Sequence, residues 1–227
     1  MNLKRLAAKQ ALNYVKNGMV LGLGSGSTAW HFVDLLGKKI SEGELIDIQA
    51  VSTSEVTTDQ ARSLGIPLTN LAKHDHLDLA VDGADEVDPN LNLIKGLGRA
   101  ALREKIVVAH SNQFVIIVDQ SKMVNRLGEL KPLPVEIICF EAEAHIRWLN
   151  KLGCIANLFI EDDGNPVITD NGNFLVLCKF PEGIIDPYDL RRKLNDRPGI
   201  VEHGLFLDLA TRVIVASEDG IRELECE

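Results

Sequence analysis

Apolar runs without alternation constrain this chain most. Residues 19–23, 48–51, 77–81 and 115–118 are short and almost wholly apolar, with helical periodicity between them. A strand with one solvated face alternates polar and apolar residues, whereas a continuous apolar strand is covered on both faces. Such strands joined by helices predict a parallel sheet with helices packed on each side. Residues 3–17 place Leu6, Ala7, Ala11, Leu12 and Val15 on one helical face, and Gly18 suits the end of that helix. Residues 28–38 turn Phe32, Leu35 and Leu36 inward, and the helix over 54–64 opens on Ser/Thr capping candidates.

The pattern changes after Lys131-Pro132-Leu133-Pro134. Strands are expected over 135–140, 155–160, 174–180 and 200–209, with helices over 141–152 and 186–194. Asp163-Gly164-Asn165 and Asn171-Gly172 are turn signals between the second and third of these strands. This β-α-β-β-α-β order is the ferredoxin-like unit. A last apolar run, 212–216, returns to the first sheet. The expected fold is therefore α/β. A Rossmann-like, mostly parallel sheet is built from residues 1–131 with 210–227. A smaller ferredoxin-like α+β domain, 132–209, is inserted before the final strand.

The charge balance narrows the partners. The chain has 227 residues, with 33 acidic against 24 basic side chains. This disfavours nonspecific nucleic-acid binding. No apolar run approaches the ~18 residues of a membrane span, and no signal segment is visible. Cys139, Cys154, Cys178 and Cys226 show no C-x-x-C spacing. They read as free thiols in a reducing cytoplasm, packing as small hydrophobes.

Two segments carry chemistry. The run ending at Val81 stops in Asp82-Gly83-Ala84-Asp85-Glu86, Lys95 follows in a glycine-flanked turn, and Glu104 follows on a helix. Carboxylates and a lysine gathered near the carboxyl end of a strand suit proton transfer. Taken singly, each has a plainer reading. Asp82 and Asp85 can cap turns, Lys95 can be a loop charge, and Glu104 can sit on a solvated helix face. Glu86 and Asp88 are expected to be solvated charge. The second segment is Gly22-Leu23-Gly24-Ser25-Gly26-Ser27-Thr28, between a strand and a helix. Its glycines, hydroxyls and free helix N–H groups form an anion cradle suited to phosphate. It lacks the P-loop lysine, and Ser27 replaces the third glycine of the dinucleotide fingerprint. His74 and His76 flank Asp75 with no third ligand nearby, so no metal site is expected. His31 reads as structural.

GLGSGSTA, VSTSEVT, DGADEVD, LIKGLGRAALREK, VDQSK and KPLPVEI, in this order, resemble ribose-5-phosphate isomerase type A. The resemblance continues to GLFLDLATRVIVASEDGI and covers nearly the whole chain. It implies interconversion of ribose 5-phosphate and ribulose 5-phosphate in the non-oxidative pentose phosphate pathway. It also implies no cofactor and no metal, and a homodimer or homotetramer. By the same resemblance Glu104 is the base and Lys95 stabilises the enediolate oxygen. Asp82 and Asp85 bind substrate hydroxyls and assist ring opening. Ser25, Gly26, Ser27 and Thr28 hold the phosphate, joined by Lys4 from the first helix. Gly83, Ala84, Gly96, Leu97, Gly98 and Lys122 complete the substrate contacts.

One departure stands out. The family commonly has KGGGG or KGGGA, whereas this chain has Lys95-Gly96-Leu97-Gly98-Arg99. Leu97 restricts φ and Arg99 adds a cation. The expectation is that Leu97→Gly with Arg99→Gly leaves or raises kcat/KM. The competing function is a sugar-phosphate sensor, which would bind without turnover. A further alternative is an isomerase of another phosphosugar. A DNA-binding segment has no room before the first strand, near residue 20.

Overall fold

A computed structural model describes residues 2–225, so Cys226 lies outside the described residues. In chain order the first elements are α1 (Leu3–Ala11), β1 (Val20–Leu23), α2 (Ser27–Ser41), β2 (Gln49–Ser52), α3 (Glu55–Ser63) and β3 (Leu79–Asp82). There follow β4 (Glu86–Val87), β5 (Leu93–Ile94), α4 (Ala101–Ala109), β6 (Phe114–Asp119), β7 (Leu133–Ile137), α5 (Ala142–Asn150) and β8 (Ile155–Leu158). The last are β9 (Phe174–Lys179), α6 (Pro187–Asn195), β10 (Ile200–His203), β11 (Leu205–Phe206), β12 (Arg212–Ser217) and β13 (Gly220–Glu225). Two compact units result. One takes the chain up to Ala84, Arg103–Lys122 and Leu209 onward; the other takes Asp85–Leu102 and Met123–Asp208.

The first unit holds a six-stranded sheet in the order β13-β12-β6-β3-β1-β2. The neighbours from β12 to β2 are parallel, and β13 closes one edge antiparallel to β12. Leu21, Leu23, Leu79, Ile117 and Ile214 are fully or almost fully buried, together with Phe32 and Leu36 of α2. Burial of each such side chain contributes roughly 1.5–3 kcal/mol. Local signals set the helix starts. The Asn2 side chain accepts the Arg5 N–H before α1, and Ser54 accepts the Thr57 N–H before α3. β13 was not expected. Its Gly-Ile-Arg-Glu-Leu-Glu sequence is too polar to read as sheet interior, and pairing with β12 defines it.

The second unit contains the ferredoxin-like order expected, an antiparallel sheet β10-β7-β9-β8 with α5 and α6. Its core includes Val135, Ile137, Leu149, Val176 and Leu194. Asp186 caps α6 by accepting the Tyr188 and Asp189 N–H groups, and Pro187 opens the helix. The strand expected over 200–209 is broken instead. β10 pairs with β7, while β11 pairs with β5 in a separate sheet, β11-β5-β4. Gly204 makes the break possible, because a Cβ there would lie 2.2 Å from the Lys95 carbonyl oxygen. This small sheet explains why residues 85–102 group with 123–208, a different division from the boundary expected at residue 131.

Candidate active site

In the first unit the chain leaves β1 for β2 on one side and returns to β3 on the other. Ligands of open α/β sheets bind outside the carboxyl ends of strands at such a reversal. Here those ends are Gly24-Ser25-Gly26 after β1 and Asp82-Gly83 at the end of β3. The Gly24 N–H donates to the Val81 carbonyl at 2.9 Å. Asp82 is buried, and its Oδ1 accepts the Ser25 N–H at 3.0 Å and the Gly83 N–H at 2.7 Å. A Cβ on Gly24 would stand 2.1 Å from the Asp82 carboxyl carbon. The glycine in the cradle is therefore dictated by the carboxylate beside it.

α2 starts at Ser27, and Gly26 before it has φ +91° and no side chain capping the helix. The first-turn N–H groups thus keep their positive end open to an anion. Lys4 donates to the Ser27 hydroxyl at 2.8 Å, placing a cation at this terminus. Ser25, in the same turn, ties it to the neighbouring helix. Its hydroxyl lies 2.8 Å from Thr53 Oγ1, 2.7 Å from Ser54 Oγ and 3.2 Å from Thr57 Oγ1. Thr57 in turn donates to the Gly24 carbonyl at 3.0 Å, and Thr53 to that of Leu23 at 2.9 Å. This hydroxyl network fixes the cradle against α3. Thr53, Ser54 and Thr57 were not singled out as site residues, although they lie in VSTSEVT.

Glu104 occupies the first turn of α4 and is 3% exposed, so it is not on a solvated face. Its neighbour Arg103 pairs with Glu55 at 2.8 Å. Lys122 ends a 3-10 turn that leaves β6, half-buried. His31, on α2, lies 3.2 Å from the Asn2 side chain. Burial, with help from Arg5 and Lys4, holds its pKa below the ordinary histidine value against the opposing charge of Asp34.

In the second unit Lys95 follows β5 and is 2% exposed, which excludes a surface loop charge. Its N–H donates to the Gly204 carbonyl at 2.9 Å, and Nζ lies 5.4 Å from the centre of the Phe206 ring. Gly96 has φ +101°, and a Cβ there would meet Ala101 at 2.6 Å. Asp85 Oδ2 accepts the Leu97 N–H at 3.1 Å, so this carboxylate shapes the lysine loop. Leu97 is half-buried and Gly98 exposed. Glu86 and Asp88 are not solvated as expected. Glu86 is fully buried and accepts the N–H groups of Gly128, Leu130 and Lys131, each at 2.6 Å. Asp88 Oδ1 accepts those of Asn90 and Asn92 at 2.9 Å. Both serve the backbone. Buried ionisable groups are costly, which singles out Asp82 and Glu104 in the first unit, and Lys95 in the second, as candidate functional groups rather than surface charges.

The sequence profile of the family described as ribose 5-phosphate isomerase A (phosphoriboisomerase A) matches residues 49–220. The chain belongs to that family. It is 50% identical over 224 residues to the ribose-5-phosphate isomerase A of Roseiflexus castenholzii, covering 98% of this chain and 95% of the relative. The enzyme of the same name from Pyrococcus abyssi is 46% identical, with 98% and 97% covered. Among solved structures, a ribose 5-phosphate isomerase A from Methanocaldococcus jannaschii superposes with TM-score 0.93 at 41% identity, covering 99% of this chain and 98% of that one. Another, a D-ribose-5-phosphate isomerase in complex with phospho-erythronic acid, gives TM-score 0.95 at 44% identity, covering 99% and 100%. Ribose-5-phosphate isomerase A relatives thus share the whole fold, the Rossmann-like unit and the smaller one alike. Among the described residues no helix is long and apolar enough to cross a membrane.

Proposed function

We propose that this protein interconverts D-ribose 5-phosphate and D-ribulose 5-phosphate, an aldose–ketose isomerisation of the non-oxidative pentose phosphate pathway. The observation that carries the reading is the burial of Glu104 on a helix that follows directly from the Lys95 loop. In the proposed reaction Glu104 takes the proton from C2 and returns it at C1, while a second proton passes from O2 to O1 so that the carbonyl moves from C1 to C2. Lys95 carries the opposite charge needed by the enediolate oxygen. Asp82 and Asp85 hold sugar hydroxyls and assist ring opening, with Gly83, Ala84, Gly96, Leu97 and Gly98 supplying backbone around them. The open N-terminus of α2, with Ser27, Thr28 and Lys4, takes the phosphate, and Ser25 and Gly26 shape that turn. Lys122 adds a further cation. Phospho-erythronic acid, bound by a solved relative, joins a planar carboxylate to a phosphate and so resembles the enediolate in charge and shape.

On the same reading the enzyme is cytoplasmic and a homodimer or homotetramer. Phe140, 75% exposed, and Ile185, 70% exposed, give the second unit apolar surface that a further copy would cover. The test is turnover of ribose 5-phosphate with a metal chelator present, comparing wild type with Glu104→Gln. The expected loss is about 10²- to 10⁴-fold in kcat with phosphosugar binding retained. A wild type that binds without turnover, or an active Glu104→Gln, would sink the proposal.

A further inference from the structure

Arg99 stands in the loop after Lys95 at φ +72°, a left-handed conformation that a long side chain rarely adopts. Its N–H closes the turn on the Gly96 carbonyl at 2.9 Å, so this conformation is tied to the shape of the loop. Glycine would occupy the position without strain. What holds arginine there lies at the far end of its side chain. Nη1 meets Glu161 Oε1 at 2.5 Å and Nη2 meets Oε2 at 2.9 Å, a two-pronged pair. The guanidinium carbon lies 5.5 Å from the Phe159 ring centre. The anchor is itself fixed. Phe159 donates its N–H to the Leu175 carbonyl on β9, and Glu161 donates to that of Asn165, both at 2.8 Å. Between Lys95 and Arg99, Gly96 and Gly98 have no side chains to restrain the backbone, and Asp85 holds the middle through the Leu97 N–H.

We infer that Arg99 is a positioning residue: its pair with Glu161 fixes the glycine loop that presents Lys95. The inference rests on the reading of Lys95 as the group that stabilises the enediolate oxygen. It also assigns the charge of Arg99, which is committed to Glu161 and not offered to the phosphosugar. The expectation that glycine at 97 and 99 leaves or raises kcat/KM gives way to an expected loss.

The test is a double-mutant cycle on kcat and KM for ribose 5-phosphate, with Arg99→Ala, Glu161→Ala and the double variant. Thermal melting confirms that each is folded. Each single variant loses about fivefold in kcat, the scale of a well-formed, partly exposed pair, with KM within about twofold. The double loses no more than either single. Charge reversal, Arg99→Glu with Glu161→Arg, recovers most of the rate. Raised salt at saturating substrate slows wild type and spares Arg99→Ala. Losses that multiply to about 25-fold in the double, or an effect on KM alone, overturn the inference. Amide hydrogen exchange over 96–99, read without substrate, separates it from the proposed reaction. Faster exchange in both single variants supports the latch even if wild type turns over some other phosphosugar, and unchanged exchange refutes it.

Discussion

Gly24→Ala tests the close approach between the glycine cradle and Asp82. The new methyl would lie 2.1 Å from the Asp82 carboxyl carbon and from Oδ1, and 2.5 Å from its Cβ. No rotamer of Asp82 relieves the last of these, so the backbone of one strand end has to move. Two costs then add. Overpacking a filled site costs roughly 1–3 kcal/mol. Moving the carboxylate also loosens the bonds that Oδ1 accepts from the Ser25 and Gly83 N–H groups, and a hydrogen bond to a charged group contributes about 1.5–3 kcal/mol. Partial relaxation leaves an expected destabilisation of about 3–5 kcal/mol, or about 10 °C in melting temperature. The displaced carboxylate should also lower kcat/KM by about 10²-fold. Gly43→Ala is the control. Its φ is +73° but nothing lies within 4 Å of the added carbon, so only the left-handed strain of about 1–2 kcal/mol applies. Differential scanning calorimetry and a coupled turnover assay read both variants. Gly24→Ala melting within about 2 °C of wild type with full turnover would refute the reasoning.

Further outcomes follow from the same geometry. Glu86→Gln puts an amide among three inward-pointing N–H groups, and an unfolding titration in urea should register a loss of about 3 kcal/mol; a change under about 0.5 kcal/mol would show the carboxylate dispensable. His31 titrates below the ordinary value of about 6.5, so the unfolded chain takes up a proton there before the native one does. Its contribution to stability is therefore present above that value and declines as pH falls towards the native pKa. Because Lys4 and Arg5 depress it, inorganic phosphate bound beside Lys4 should move the His31 resonance titration upward. A titration unchanged by phosphate would count against the anion site at α2.

What the sequence revealed depended on range. The apolar runs of β1, β3 and β6 and the ferredoxin-like order from β7 to β10 declare themselves over a few residues. The glycine cradle and the DGAD carboxylates likewise carry their chemistry in adjacent positions. β4 and β5 span two residues each, too short for any period, and exist through pairing with each other and with β11. Glu86 looked like solvated charge because its three partners stand 42 to 45 residues away. The hydroxyl network behind Ser25 was hidden for the same reason, its partners lying 28 to 32 residues on. Arg99 and Glu161 are 62 residues apart, and no local pattern joins them.

Gly26 withholds something from the bare protein. A serine or aspartate capping α2 would contribute about 1 kcal/mol to folding, but a φ of +91° suits neither. The contribution is left to whatever anion docks there. An anion at a hundred times its dissociation constant adds about 2.7 kcal/mol to the native state. On the proposed function that anion is the phosphate of the substrate, so the native state would open to proteases less often when phosphosugar is bound than when it is scarce.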